Sequence, residues 1–274
     1  MAEKFRALAR EHIFVFSAVF AAFVLATQLF LTKVLLLGGE RPEELLYGVA
    51  DIAVMLVPVA LVCVTAILLG MKSTLTPRKN GLGKGLLLGL PFILLGVYAG
   101  FSTIADVGFA ELSNPGLFKI ITFVISMGLI GILEEFLCRG VLLSLMLEKW
   151  GHTRKGLLKS VFISSVIFGL THLVTLFVYP HLILSVASQV FYSALVGVYL
   201  ACVYIRCKNL YSVVILHAFF DACVLLINLL HLPAMMEVIN PTEITPADGL
   251  GTIILWLPFF LIGLFLIRKK KLSA

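Results

Sequence analysis

Long apolar runs separated by short polar stretches dominate the pattern along the chain. Eight runs cover roughly residues 12–37, 45–70, 85–107, 118–147, 159–180, 183–205, 210–231 and 250–267. Each approaches or exceeds the ~20 mostly apolar residues that an α-helix needs to cross a bilayer. They are therefore read as membrane-spanning helices, spans 1–8. The first run is too long, and followed by too many others, to be a cleaved signal peptide. No repeat, low-complexity tract or soluble domain interrupts the series. The predicted fold class is all-α, a polytopic membrane helix bundle of about eight transmembrane helices. It forms one transmembrane domain over residues 1–274, with a catalytic core at about 118–231.

Composition agrees with this pattern. Of 274 residues, 61% are hydrophobic and 13% charged, and the mean hydropathy is +1.09. Ordinary soluble domains run near ~45–50% apolar and ~25% charged. A soluble globule of this size has too little interior to hide so much apolar surface. A soluble enzyme, a disordered chain and a small disulfide scaffold are thereby excluded. The five cysteines, Cys63, Cys138, Cys202, Cys207 and Cys223, lie in or beside apolar runs and form no C-x-x-C pair. They read as small buried hydrophobes.

The net charge is +6, but the charges sit at the ends of apolar runs, so no nucleic-acid partner is expected. Their distribution sets a topology. With a cytoplasmic N-terminus, the inner segments carry Lys4, Arg6 and Arg10, then Lys72, Arg78, Lys79 and Lys84. Lys149, Arg154, Lys155 and Lys159 follow, then Arg206 and Lys208, and finally Arg268 and Lys269 to Lys271. The outer side keeps only Arg41 and Lys119, together with the acidic Glu40, Glu43, Glu44, Glu111, Glu237, Glu243 and Asp248. The positive-inside rule counts such an excess, so both termini are expected to be cytoplasmic. The basic tail reads as the stop signal of span 8.

A charged side chain at the bilayer centre costs roughly 2.5–3.5 kcal/mol on insertion scales, so the few at depth are informative. Lys33 is expected to snorkel from the outer end of span 1. Asp51 and Asp106 are close enough to an outer end to be interfacial. His12, His152, His181 and His231 fall at span ends or in loops. Pro58 and Pro91 are expected to kink their helices.

Three clusters resist such readings. In span 4, Glu134 and Glu135 precede Arg139. Glu135 and Arg139 are four apart and face each other along one helical side. An ion pair joining helices would explain them, but not Glu134, which points about 100° away. In span 5, Phe168 and His172 share a face, with small Gly169 allowing close helix approach. In span 7, His217 and Asp221 share a face and can hydrogen-bond. Such groups avoid lipid, so they are expected to meet inside the bundle.

A glutamate and a histidine across a cavity can hold a water and take its proton. A second polar pair can stabilise the oxygen that gains charge when water adds to a carbonyl. These are the parts for peptide hydrolysis without a covalent intermediate. No serine or cysteine has an evident base at helical spacing, which leaves a Cys138 nucleophile as a lesser option. Zinc could bind Glu and His, but H-E-x-x-H spacing is absent, and no metal or other cofactor is expected. A proton-coupled transporter or a bacteriocin-immunity-type binding protein would use the same residues without proteolysis. Against a transporter, no internal repeat or paired interrupted helices are seen.

Glu134-Glu135-x-x-x-Arg139, Phe168-x-x-x-His172 and His217-x-x-x-Asp221, in this order, resemble the CAAX prenyl protease and bacteriocin-processing family of intramembrane glutamic endopeptidases. The resemblance covers about residues 118–231. It implies that Glu134 activates water with His172 as its partner, and that Glu135 and Arg139 orient the first motif. It also implies that His217 and Asp221 form the oxyanion site. CAAX-cleaving members typically carry asparagine where Asp221 stands. An ionised aspartate only accepts hydrogen bonds, so Asp221 would instead hold His217 as the donor. The implied partners are membrane lipid and a peptide or protein substrate, lipid-modified or not. The implied location is a prokaryotic plasma membrane, or the endoplasmic reticulum membrane in a eukaryote.

Overall fold

The computed structural model describes residues 2–39, 47–77, 79–231 and 241–268. Glu40, Arg41, Glu43, Glu44, Arg78, Glu237 and Lys269 to Lys271 lie outside the described residues. Every regular element among the described residues is helical.

Eight helices are long and apolar enough to cross a membrane. Span 1 is Ile13–Leu37 and span 2 is Val49–Leu68. Span 3 is Leu90–Val107, span 4 is Gly116–Trp150 and span 5 is Arg154–Phe177. Span 6 is Ile183–Cys207, span 7 is Leu210–Leu230 and span 8 is Pro246–Ile267. Side-chain caps start three of them. Thr153 accepts from the Gly156 N–H, Asn209 accepts from the Ser212 N–H, and Thr245 and Asp248 form a reciprocal capping box. These caps satisfy N–H groups that a helix start leaves open.

Pro58 lies inside a continuous helix. The irregularity near Pro91 falls at Gly89, which separates helix Leu82–Leu88 from span 3, with Pro91 in the first turn after it. Proline is tolerated there because a first-turn N–H has no partner within its helix. A Cβ on Gly89 would collide with the Leu216 side chain, so glycine at this position also lets span 7 approach.

The bundle is joined by contacts of span 2 with spans 1 and 4, span 7 with spans 3 and 4, and span 6 with spans 5, 7 and 8. Small residues make the crossings that matter to the site. A Cβ on Gly131 of span 4 would lie 3.0 Å from the Val214 carbonyl of span 7. One on Gly169 of span 5 would run into the Val190 carbonyl of span 6. Large apolar side chains such as Phe30, Leu94, Phe101, Leu117 and Leu261 project outward. An outer surface this apolar suits lipid rather than water.

The basic span ends gather at one end of the bundle. Helix Ala2–Glu11 lies across it, with Arg6 donating to the Leu68 carbonyl at 2.6 Å. Arg10 meets Glu148 at 3.1 Å. Lys149 donates to the carbonyls of Arg10 and Glu11. Arg154 donates to the Ile267 carbonyl at 2.5 Å, and the Lys159 ammonium sits 4.1 Å from the Trp150 ring centroid. At the opposite end, Glu243 accepts from the N–H groups of Leu184 and Ser185 at 2.8 and 2.7 Å. It thereby caps the start of span 6. His181 bonds the Pro241 carbonyl beside it.

Candidate active site

Span 4 is α-helical through Glu135, then π-helical over Phe136–Leu143, then α-helical again from Ser144. A π segment widens the turn by one residue and is frequent at functional sites. Here it carries Arg139 and follows the two glutamates directly. Ser144 supports it, its hydroxyl donating to the Arg139 carbonyl at 2.8 Å.

Glu135 and Arg139 are 0% and 2% exposed. The guanidinium donates to Glu135 Oε1 at 2.6 Å and to the Gly197 carbonyl of span 6 at 3.2 Å. Its carbon lies 4.6 Å from the Phe168 ring centroid. The pair therefore links spans 4, 5 and 6. His217 Nδ1 lies 2.8 Å from the same Glu135 oxygen, which adds span 7. A carboxylate paired with arginine can only accept, so Nδ1 is the donor.

The other imidazole nitrogen, Nε2, lies 3.4 Å from Glu134 Oε2 and 3.5 Å from Asp221 Oδ2. Three acceptor-type atoms cannot share this corner unless a proton lies among them. Glu134, which has no partner on its own helix face, thus finds one on span 7. His172 begins the 3₁₀ turn His172–Phe177 that ends span 5. Phe168 has its ring centroid 5.5 Å from that of His172 and 5.9 Å from that of His217. Among the described residues no hydrogen bond joins His172 to Glu134.

Glu134, His172, His217 and Asp221 line one cavity of about 360 Å³. Glu135 and Arg139 stand behind it. Its far wall comes from residues that ionisable-group reasoning passed over: Gln189, Tyr192 and Ser193 of span 6, Trp256 of span 8 and Phe92 of span 3. A signal was present in span 6, where Gln189 and Ser193 are four apart in an apolar helix. Phe92, Phe220 and Trp256 pack ring against ring, with centroids 4.5–5.9 Å apart. A smaller cavity reaches Glu134 from spans 1 and 2 and includes Gln28, Met55, Leu133, Thr171 and Cys138. Cys138 itself is 1% exposed. Among the described residues no group of three His, Cys, Asp or Glu side chains is arranged to hold a metal ion.

Residues 116–223 match the family described as type II CAAX prenyl endopeptidase, Rce1-like. No curated protein and no solved structure matches the chain. The matched stretch contains all six ionisable residues of the three sequence clusters. Residues 116–223 are thus similar to a domain of this CAAX protease family, whose described members are endopeptidases.

Proposed function

We propose that this chain, through its Rce1-like endopeptidase domain, is an intramembrane endopeptidase in which Glu134 activates water. The observation that carries the reading is the convergence of Glu134, His172, His217 and Asp221 on one cavity between membrane-spanning helices. Buried ionisable groups from three helices are costly unless they serve one another or a substrate.

In this reading a water sits between Glu134 and His172. Glu134 takes its proton as the oxygen adds to the scissile carbonyl carbon. The C–N bond then breaks, and Glu134 returns the proton to the leaving nitrogen, yielding an acid and an amine. His217 supplies an N–H toward the oxyanion. Asp221 and Glu135 fix its ring, and Arg139 keeps Glu135 an acceptor. The arrangement needs no covalent intermediate. The gathering of basic span ends at one end of the bundle supports cytoplasmic termini.

Comparative peptidomics of cells making the wild-type protein or Glu134→Gln tests this proposal. At least one peptide should be cleaved only with the wild type. Identical peptidomes, at equal amounts of folded protein, would overturn it.

A further inference from the structure

An oxyanion forming on a buried carbonyl needs preorganised donors, and the donor inventory of this cavity is short. Glu134 and ionised Asp221 only accept. His217 offers a single N–H, at Nε2, and those two carboxyl groups compete for it at 3.4 and 3.5 Å. His172 is committed to the attacking water in the proposed reaction. Of the remaining lining groups, Ser193 is 4% exposed and Trp256 is 5% exposed, and Gln189 brings an amide donor one turn before Tyr192.

Tyr192 differs from these. It lines the cavity with the four site residues. Its ring stacks on Trp256 at 6.1 Å and 21°, which fixes the ring plane. Gln189, one turn earlier on span 6, lines the same cavity. An amide N–H donated from Gln189 to the phenolic oxygen would leave the phenol's own proton free to donate elsewhere. It would also polarise that O–H.

We propose that Tyr192 is a further catalytic residue, donating its phenol hydrogen bond to the oxyanion and so complementing the His217 N–H. Gln189 is its positioning residue. This assignment rests on the peptidase reading above. It also gives the aspartate at 221 a physical context: a site whose carboxylate cannot donate draws its second donor from span 6. No proton is transferred in this role, because the phenol stays neutral while charge grows and fades on the carbonyl oxygen.

The test uses the full-length protein in proteoliposomes. The probe is an internally quenched copy of a peptide whose cleavage depends on Glu134 in the peptidome comparison. Tyr192→Phe keeps the ring and its stack on Trp256. Its kcat should fall about 10²-fold, the scale of one lost oxyanion donor, with KM changed less than about threefold. Replacing Tyr192 by 3,5-difluorotyrosine keeps ring and hydroxyl but lowers the pH at which the phenol loses its proton. Activity of that protein should fall at alkaline pH where the wild type is still flat. Wild-type kcat in Tyr192→Phe, or superimposable pH profiles, would overturn the assignment. If Tyr192→Phe does not fold, the difluorotyrosine profile decides. Glu134→Gln is run alongside: if it too cleaves the probe at the wild-type rate, the peptidase reading itself fails.

Discussion

Arg139→Met removes a guanidinium that is 2% exposed while leaving an unbranched apolar stem in its place. Two hydrogen bonds disappear, to Glu135 at 2.6 Å and to the Gly197 carbonyl at 3.2 Å. So does the contact with the Phe168 ring at 4.6 Å. Glu135 Oε2 already has no hydrogen-bond partner among the described residues, so the stranded carboxylate keeps only His217 Nδ1. Breaking a buried pair by removing one partner costs about 3–5 kcal/mol. At ~1.4 kcal/mol per decade, the folded-to-unfolded ratio should drop roughly 10²- to 4 × 10³-fold. The assay is unfolding of purified protein in mixed micelles as the denaturing detergent fraction rises. The double variant Glu135→Gln with Arg139→Met removes both charges and keeps an acceptor for His217. It should recover at least half of the loss, because the penalty belongs to the unpaired charge. Stability of Arg139→Met within about 1 kcal/mol of wild type, or a double variant no better than the single, would refute this reasoning.

Gly169→Ala puts a methyl group into the Val190 backbone. Spans 5 and 6 must then separate, at roughly 1–3 kcal/mol for overpacking, and His172 moves away from the cavity. Detergent unfolding and turnover should both show the loss. The Glu243 carboxyl is raised by desolvation but lowered more by hydrogen bonds from the Ser185 hydroxyl and the N–H groups of Leu184, Ser185 and Ile244. Its folded value therefore lies below the ordinary carboxylate range. The clamp on span 6 contributes fully above that range and is lost as pH falls through the lowered folded value. Hydrogen-exchange protection at Leu184 and Ser185, measured relative to the intrinsic rate at each pH, should fall in Glu243→Ala at neutral pH, and in the wild type only under acid.

Much of this molecule was legible in the sequence because lipid imposes one rule on every span. Eight apolar runs became eight helices, with ends displaced by a few residues. Glu135 and Arg139 met as their four-residue spacing required. Spacing within one helix could not say which neighbour Glu134 would find, because that depends on how spans 4 and 7 cross at Gly131. The expected kink at Pro91 appeared as a break at Gly89, where the chain must also admit Leu216. The π segment after Glu135 left no mark in the hydrophobic pattern, since all eight of its residues are buried whichever way the turn is wound. Tyr192 and Gln189 were passed over for a related reason. Neutral polar groups carry little insertion cost, so nothing singles them out until a cavity wall does.

Hydrolysis by the Glu134 carboxylate inside the bundle can be followed by mass spectrometry of a Glu134-dependent peptide incubated with purified protein in proteoliposomes, wild type against Glu134→Gln at matched folded amounts. Two product peptides should form with the wild type, and at a rate at least about 10²-fold lower with the amide, the scale of a lost general base. Equal cleavage by Glu134→Gln would contradict that role.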